Sequence, residues 1–232
     1  FQLYGYIEEI HNYDNMFLYD SFDIKLHSYD GKLIRHLNNG QLSLIKAISE
    51  NEKLLISAPT SFGKTTLILE YLVNNVSNLN SIIFILPTKS LIEELYIKLL
   101  KINKEIDFFE KYNITLNILR KSGKTIRILT PEKFLNYYEY NGLYNVDFIV
   151  MDEVYKIEND DRQLDGSVVD NRSYKFRKVL EIISNTNIKV VALSPYTYEK
   201  EDSMKEYMSK YNIMEINRNI KYVYHEYENL ST

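Results

Sequence analysis

The chain has 232 residues, 45% of them hydrophobic, enough for one large domain or two small ones with an ample core. A net charge of −4 and a pI near 5.7 exclude a strongly basic nucleic-acid-binding domain, while leaving a local basic stripe open. With no cysteine there are no disulfides or thiolate metal sites, and the four histidines, His11, His27, His36 and His225, lack ligand spacing. No apolar run approaches the roughly 18 residues that span a bilayer. The N-terminal FQLYGYIEEI carries acids rather than the basic flank of a signal peptide. The expectation is a cytoplasmic protein with no membrane partner. The first residue is Phe1, not Met, as in a piece of a longer protein.

Residues 1–36 are Tyr- and Asp-rich and read as an N-terminal extension packed against the main domain; QLSLIKAISE (41–50) is helix-like. From there short apolar runs alternate with helical segments. LLISAP (54–59) reads as a buried strand and KTTLILEYLVNNV (64–76) as a helix. SIIFILP (81–87) is a strand stopped by Pro87, and 91–106 a helix with Leu91, Leu95, Leu99, Ile102 and Ile106 on one face. ITLNIL (114–119) and TIRILT (125–130) read as strands. Thr130-Pro131-Glu132 then starts a helix, with a capping hydroxyl, a proline in the first turn and an acid near the positive end. VDFIVMDE (146–153) and IKVVALSP (188–195) are further strands, with a helix at 173–185 between them and another near 199–210. The charged stretch 158–172 reads as a mobile loop, and IKYVYHEYENLST as a strand leaving the domain. Continuous β-branched strands alternating with helices predict an α/β fold, a parallel sheet covered on both faces.

APTSFGKT (58–65) follows G-x-x-x-x-G-K-[ST] with Ala58 for the first glycine, between a strand and a helix. In such a loop the backbone amides and the helix N-terminus wrap phosphates. Gly63 allows close backbone approach. Lys64 places a positive charge on the β/γ-phosphates, and Thr65 offers a hydroxyl to Mg²⁺. A phosphate loop also needs a carboxylate on a neighbouring strand. MDEVY (151–155) ends a buried strand and supplies Asp152 for Mg²⁺ through water, and Glu153 to orient or deprotonate the attacking water.

With these two halves on the page, the sequence resembles a superfamily 2 helicase of the DExD/H-box group, specifically its first RecA-like domain, over roughly residues 37–200. SAPTSFGKT resembles motif I, FILPTKSLIEEL (84–95) motif Ia, ILTPEKF (128–134) motif Ib and VMDEVY (150–155) motif II. ALSP (192–195) stands in the place of motif III, and NNGQLSLIKAI (38–48) is similar to the Q motif. The resemblance implies ATP and Mg²⁺ as cofactors and a RecA-like domain over 37–216, with 217–232 an exit segment toward a second RecA-like domain. Gln41 would read adenine. Thr60, Ser61, Phe62, Gly63, Lys64, Thr65 and Thr66 would hold the phosphates, with Thr65 and Asp152 on the metal. Lys64, Asp152 and Glu153 would be catalytic. Pro87, Thr88, Lys89, Thr130 and Pro131 would face a single strand of DNA or RNA; hydroxyls and amides at helix starts bind phosphates without reading bases. Tyr155, where the family has His or Asp, and Ser194, in Ser-Pro-Tyr rather than Ser-Ala-Thr, would couple ATP turnover to strand movement. These departures leave ATP binding intact and place unwinding in question.

The family hydrolyses ATP between two RecA-like domains, the second bringing an arginine finger worth about 10³–10⁵ in rate. The 232-residue chain alone is therefore expected to bind MgATP and hydrolyse it very slowly. The loop and the irregular DEVY look more like motors of restriction or phage-defence systems than housekeeping RNA helicases. The other reading is an ATP-gated nucleic-acid-binding scaffold with little turnover. A small-molecule P-loop kinase fits poorly with the Ia and Ib motifs.

Overall fold

The structure, a computed structural model, describes residues 26–27, 34–35, 39–59, 62–75, 78–105, 112–119, 123–157, 171–195 and 209–216. In chain order these form β1 (Leu26–His27), β2 (Ile34–Arg35), α1 (Asn39–Glu50), β3 (Lys53–Ser57), α2 (Lys64–Asn75), β4 (Ser81–Ile85) and α3 (Lys89–Glu105). There follow β5 (Tyr112–Thr115), β6 (Lys124–Leu129), α4 (Pro131–Asn141), β7 (Phe148–Met151), α5 (Asn171–Ser184), β8 (Lys189–Ser194) and β9 (Asn212–Glu215).

Seven strands, in the order β5-β6-β4-β7-β8-β3-β9, make one sheet in which every pairing is parallel. A parallel sheet needs cover on both faces, and strand periodicity divides the apolar residues accordingly. Leu54, Ile56, Ile82, Phe84, Phe148 and Val150 pack against α1, α2 and α3. Their strand neighbours Leu55, Ile83, Ile85, Ile149 and Met151 pack on the opposite face against Phe134 of α4 and Phe176, Val179 and Leu180 of α5. This is the RecA-like arrangement expected from the sequence.

Three local expectations change. The fifth strand ends at Thr115, not 119, because Thr115 Oγ1 accepts the Asn117 amide at 3.1 Å and turns the chain, leaving Leu119 exposed. α3 begins at Lys89, two residues before the expected start, because Thr88 caps it. β9 was not anticipated: NIME is largely exposed and lacks the apolar run of an inner strand, but it completes the edge beside β3.

Of the extension expected over 1–36, β1 and β2 fall within the described residues; they pair antiparallel, and β1 lies against α2. The expected loop 158–172 lies outside the described residues up to 170, with 171 and 172 already in α5. The helix expected near 199–210 lies outside them except for a turn at 209–210, as does the exit segment 217–232. Among the described residues no helix is long and apolar enough to cross a membrane.

Candidate functional site

The carboxyl ends of the parallel strands carry Lys64, Thr65, Asp152, Glu153, Ser194 and the starts of α3 and α4 at one edge of the sheet, the edge where ligands bind in open α/β folds. β3 runs out into the Ala58–Gly63 loop, whose start is pinned by the Ala58 amide donating to the Ser194 carbonyl at 3.1 Å. Gly63 has φ 83°, and a side chain placed there would meet nothing within 4 Å. Glycine is therefore required by the backbone turn rather than by packing. Thr60 and Ser61 lie outside the described residues. Phe62 is half-buried, its amide donating to the Pro59 carbonyl at 3.0 Å.

Lys64 opens α2 and is buried. Its ammonium donates to the Ala58 carbonyl and, at 3.1 Å, to the Pro59 carbonyl, folding back across the loop. Burial lowers its pKa below the ordinary 10.5, with the nearby Asp152 carboxylate opposing that shift. Thr65 and Thr66 follow, half-buried in the first turn.

Asp152 and Glu153 leave the end of β7. The expectation of a carboxylate on the strand next to the loop strand is corrected: β8 lies between β3 and β7. The sheet pairs β3 with β8 and β9, so Asp152 reaches the loop across one intervening strand rather than from beside it. Asp152 is fixed by its amide to the Ile85 carbonyl at 3.0 Å, and its Oδ1 accepts the Glu153 amide at 2.7 Å. Thr65 and Asp152 together line a cavity of about 40 Å³, bounded also by Leu91, Glu94, Lys98 and Val150.

Lys64, the Gly63 turn and the N-terminus of α2, with the Thr65 hydroxyl sharing a cavity with Asp152, are the donor types that suit phosphate and a divalent cation. Glu94 and Lys98, paired at 2.5 Å, were missed by sequence reasoning; their i,i+4 spacing beside Leu91 and Leu95 was the available signal.

Beside this site two helix starts stand at the ends of the adjacent strands β4 and β6, tied by the Leu86 amide to the Leu129 carbonyl at 2.9 Å. Thr88 caps α3 through Oγ1 to the Leu91 amide at 3.3 Å; Pro87 is half-buried, and Thr88 and Lys89 are exposed. Thr130 caps α4 through Oγ1 to the Lys133 amide at 3.3 Å, with Pro131 buried at its first turn. Burial of Glu132 pushes its pKa up, but its backbone amide, the Thr130 hydroxyl and Lys175 at 3.6 Å outweigh this and hold it below the ordinary carboxylate value.

Gln41, in the first turns of α1, is half-buried. Tyr155 lies in the 3-10 turn Val154–Ile157, which packs against β8 and α5; Ser194, buried, ends β8.

A family model described as DEAD/DEAH box helicase matches residues 38–194. Reverse gyrase 1 of Sulfurisphaera tokodaii is 26% identical over 161 residues, which are 57% of this chain and 13% of that protein, so the chain spans a small part of that relative. The Hef helicase domain of Pyrococcus furiosus superposes with a TM-score of 0.57 at 17% identity, covering 77% of this chain and 38% of its own. The UvsW helicase of bacteriophage T4 superposes with a TM-score of 0.55 at 12% identity, covering 93% of this chain and 78% of its own. The two structural likenesses bear on the fold. The family model, which takes in more than half of the chain, bears on membership: the chain belongs to the DEAD/DEAH box helicase family and carries its helicase-type ATP-binding domain.

Proposed function

We propose that this domain is the ATP-binding half of a superfamily 2 helicase or translocase that couples MgATP binding and hydrolysis to movement on, or remodelling of, DNA or RNA. The reading rests above all on the cavity lined by both Thr65 and Asp152, with Lys64, buried, preceding Thr65 at the start of α2 and feeling the Asp152 charge. Lys64 neutralises the β/γ-phosphates, and the loop amides with Thr60, Ser61, Phe62, Gly63 and Thr66 cradle them. Thr65 and Asp152 hold Mg²⁺, the latter partly through water; when bound, the cation offsets phosphate charge. Glu153 orients or deprotonates the attacking water, and Gln41 reads the adenine edge. Pro87, Thr88, Lys89, Thr130 and Pro131 face a single nucleic-acid strand, and the contact between the Tyr155 turn and β8 carries coupling.

As a 232-residue polypeptide the domain binds MgATP and turns it over slowly, because the arginine finger of a second RecA-like domain, in the same chain or in trans, contributes about 10³–10⁵ in rate. An ATPase rate typical of a complete motor would sink this part. The second reading, an ATP-gated scaffold, is favoured by the altered residues at Tyr155 and at Ser194-Pro195-Tyr196. A restriction or phage-defence setting rests on the wording of motifs I and II alone.

The test is calorimetric titration of MgATP and MgGTP into the wild type, Lys64→Ala and Gln41→Ala. Preference for ATP, loss of binding in Lys64→Ala and loss of adenine preference in Gln41→Ala support the pocket. Equal binding of both nucleotides regardless of Gln41 removes the adenine-reading role. Undiminished binding by Lys64→Ala overturns the phosphate-loop reading.

A further inference from the structure

At the opposite, amino-terminal edge of β4 and β6 lies a second cleft, of about 280 Å³, lined by Ser81, Thr125, Arg127, Tyr137, Asn141 and Asn145 among others. Arg127 is 3% exposed, and no carboxylate among the described residues forms an ion pair with it. One side of its guanidinium lies over the Tyr137 ring, 5.1 Å from the centroid; Nη1 donates to Thr125 Oγ1 at 2.5 Å, and Nε has no hydrogen-bond partner among the described residues. Asp147, held beside the lining residues Asn80 and Ser81, is already engaged, its Oδ2 accepting the amides of Asn80 at 2.6 Å and Ser81 at 2.9 Å.

A buried cation is strongly disfavoured without a counter-charge. A ring face contributes about 0.5–2 kcal/mol and one neutral hydroxyl less than a charge would. The hydrogen bonds also have a direction. Arg127 donates to Thr125, and Thr125 Oγ1 donates to Ser81 Oγ at 3.3 Å, so the Ser81 hydroxyl proton is the open end of the relay. The cleft thus presents a guanidinium and a hydroxyl, both donors, with no carboxylate among the described residues paired to the guanidinium. It is slightly below the usual volume range of small-molecule pockets, about 300–1,000 Å³.

We propose that this cleft is a binding site for a small oxyanion, a phosphate or carboxylate group, separate from the phosphate loop at the far edge of the sheet. Arg127 supplies the charge and Ser81 the terminal donor; the guanidinium fork suits either acid.

The test is thermal unfolding of the full chain carrying Lys64→Ala, which weakens phosphate-loop binding, with inorganic phosphate or acetate added against chloride at matched ionic strength. At ten times its dissociation constant the bound anion raises the midpoint by roughly 3–6 °C. Phosphate acting alone marks a phosphate ligand, and acetate acting alone a carboxylate ligand. The rise is lost on adding Arg127→Met and reduced on adding Ser81→Ala, a variant that keeps the cation and guards against an Arg127→Met chain that fails to fold. No rise with either anion, or an equal rise when Ser81→Ala is present, overturns the proposal. Because the rise must also respond to Arg127→Met and Ser81→Ala, at the opposite edge of the sheet from the phosphate loop, the outcome is distinguishable from binding at that loop.

Discussion

The Glu153 amide donates to Asp152 Oδ1 across 2.7 Å, and this bond coincides with the one positive φ at a non-glycine among the described residues, 54° at Glu153. The chain leaves β7 through a left-handed turn that brings two successive carboxylate residues to the sheet edge.

Left-handed backbone costs an L-residue about 1–2 kcal/mol. Glu153→Gly is therefore expected to stabilise the fold by about 1 kcal/mol, offset in part by the added freedom of the unfolded chain. Glu153→Gln keeps the strain and leaves stability unchanged, and Glu153→Val lowers it. Urea midpoints of the three variants check this; a Gly variant less stable than the Gln variant would show that the turn stores no strain. In a complete motor, Glu153→Gln is also expected to abolish nucleic-acid-stimulated hydrolysis, whereas a scaffold retains its binding behaviour with this change.

The lowered pKa of Lys64 predicts a pH dependence of nucleotide binding. Burial holds its pKa below 10.5 despite Asp152, so as pH rises toward 10.5 the ammonium loses its proton earlier than an exposed lysine would. Bound polyphosphate favours the charged form. Binding above the lowered pKa is thus linked to proton uptake, and ATP affinity falls as pH climbs through it. Titrations from neutrality to pH 10.5 in two buffers of different ionisation enthalpy measure that uptake; a flat affinity over this range refutes the linkage.

Tyr211 leads into β9 and is 6% exposed, its Oη 3.1 Å from Ser184 Oγ at the end of α5. Burial pushes its pKa up to about 12, with the Ser184 hydrogen bond opposing. Because the folded value lies above the ordinary 10.0, its contribution to stability is fully present below pH 10 and is lost as pH rises through about 12. Tyr112, whose hydroxyl bonds the Leu79 carbonyl, is also raised to about 12 and adds to the same window. Tyr211→Phe is expected to lower stability at neutral pH by about 0.5–1.5 kcal/mol and to shrink, without erasing, the alkaline loss. Midpoints against pH for both proteins decide it.

How legible these features were follows from what each element buries. β3, β4, β7 and β8 lie inside a sheet covered on both faces, so LLIS, SIIFI, FIVM and KVVALS read as apolar runs whose ends mark the site. β9 is an edge strand held by β3 and by Tyr211, and its exposed Asn212, Ile213 and Glu215 carry no such signal. Lys64, Asp152 and Glu153 were visible through their spacing to strand ends. That β8 separates β3 from β7 was not, because strand order is set by crossovers that no local pattern encodes. Arg127 reads as a polar interruption in TIRILT; the cleft behind it appears only once Tyr137 and Ser81 are brought to it from other elements.

Lys89 separates a structural role from a functional one. It is the first residue of α3, exposed, with no acid in that first turn. A cation at the positive end of a helix is unfavourable by about 0.3–1 kcal/mol, so the fold alone gives no reason for lysine there. The nucleic-acid strand proposed to cross the helix starts at Thr88 and Thr130 would give one. Lys89→Ala is accordingly expected to raise stability by a few tenths of a kcal/mol at low salt while weakening binding of a single-stranded oligonucleotide. The slope of log affinity against log salt should shrink by about 0.7, one phosphate contact on a single strand. Thr130→Ala, by contrast, removes a cap and costs about 1 kcal/mol of stability whether or not a strand passes. Equal salt slopes for wild type and Lys89→Ala would remove this helix start from the nucleic-acid path.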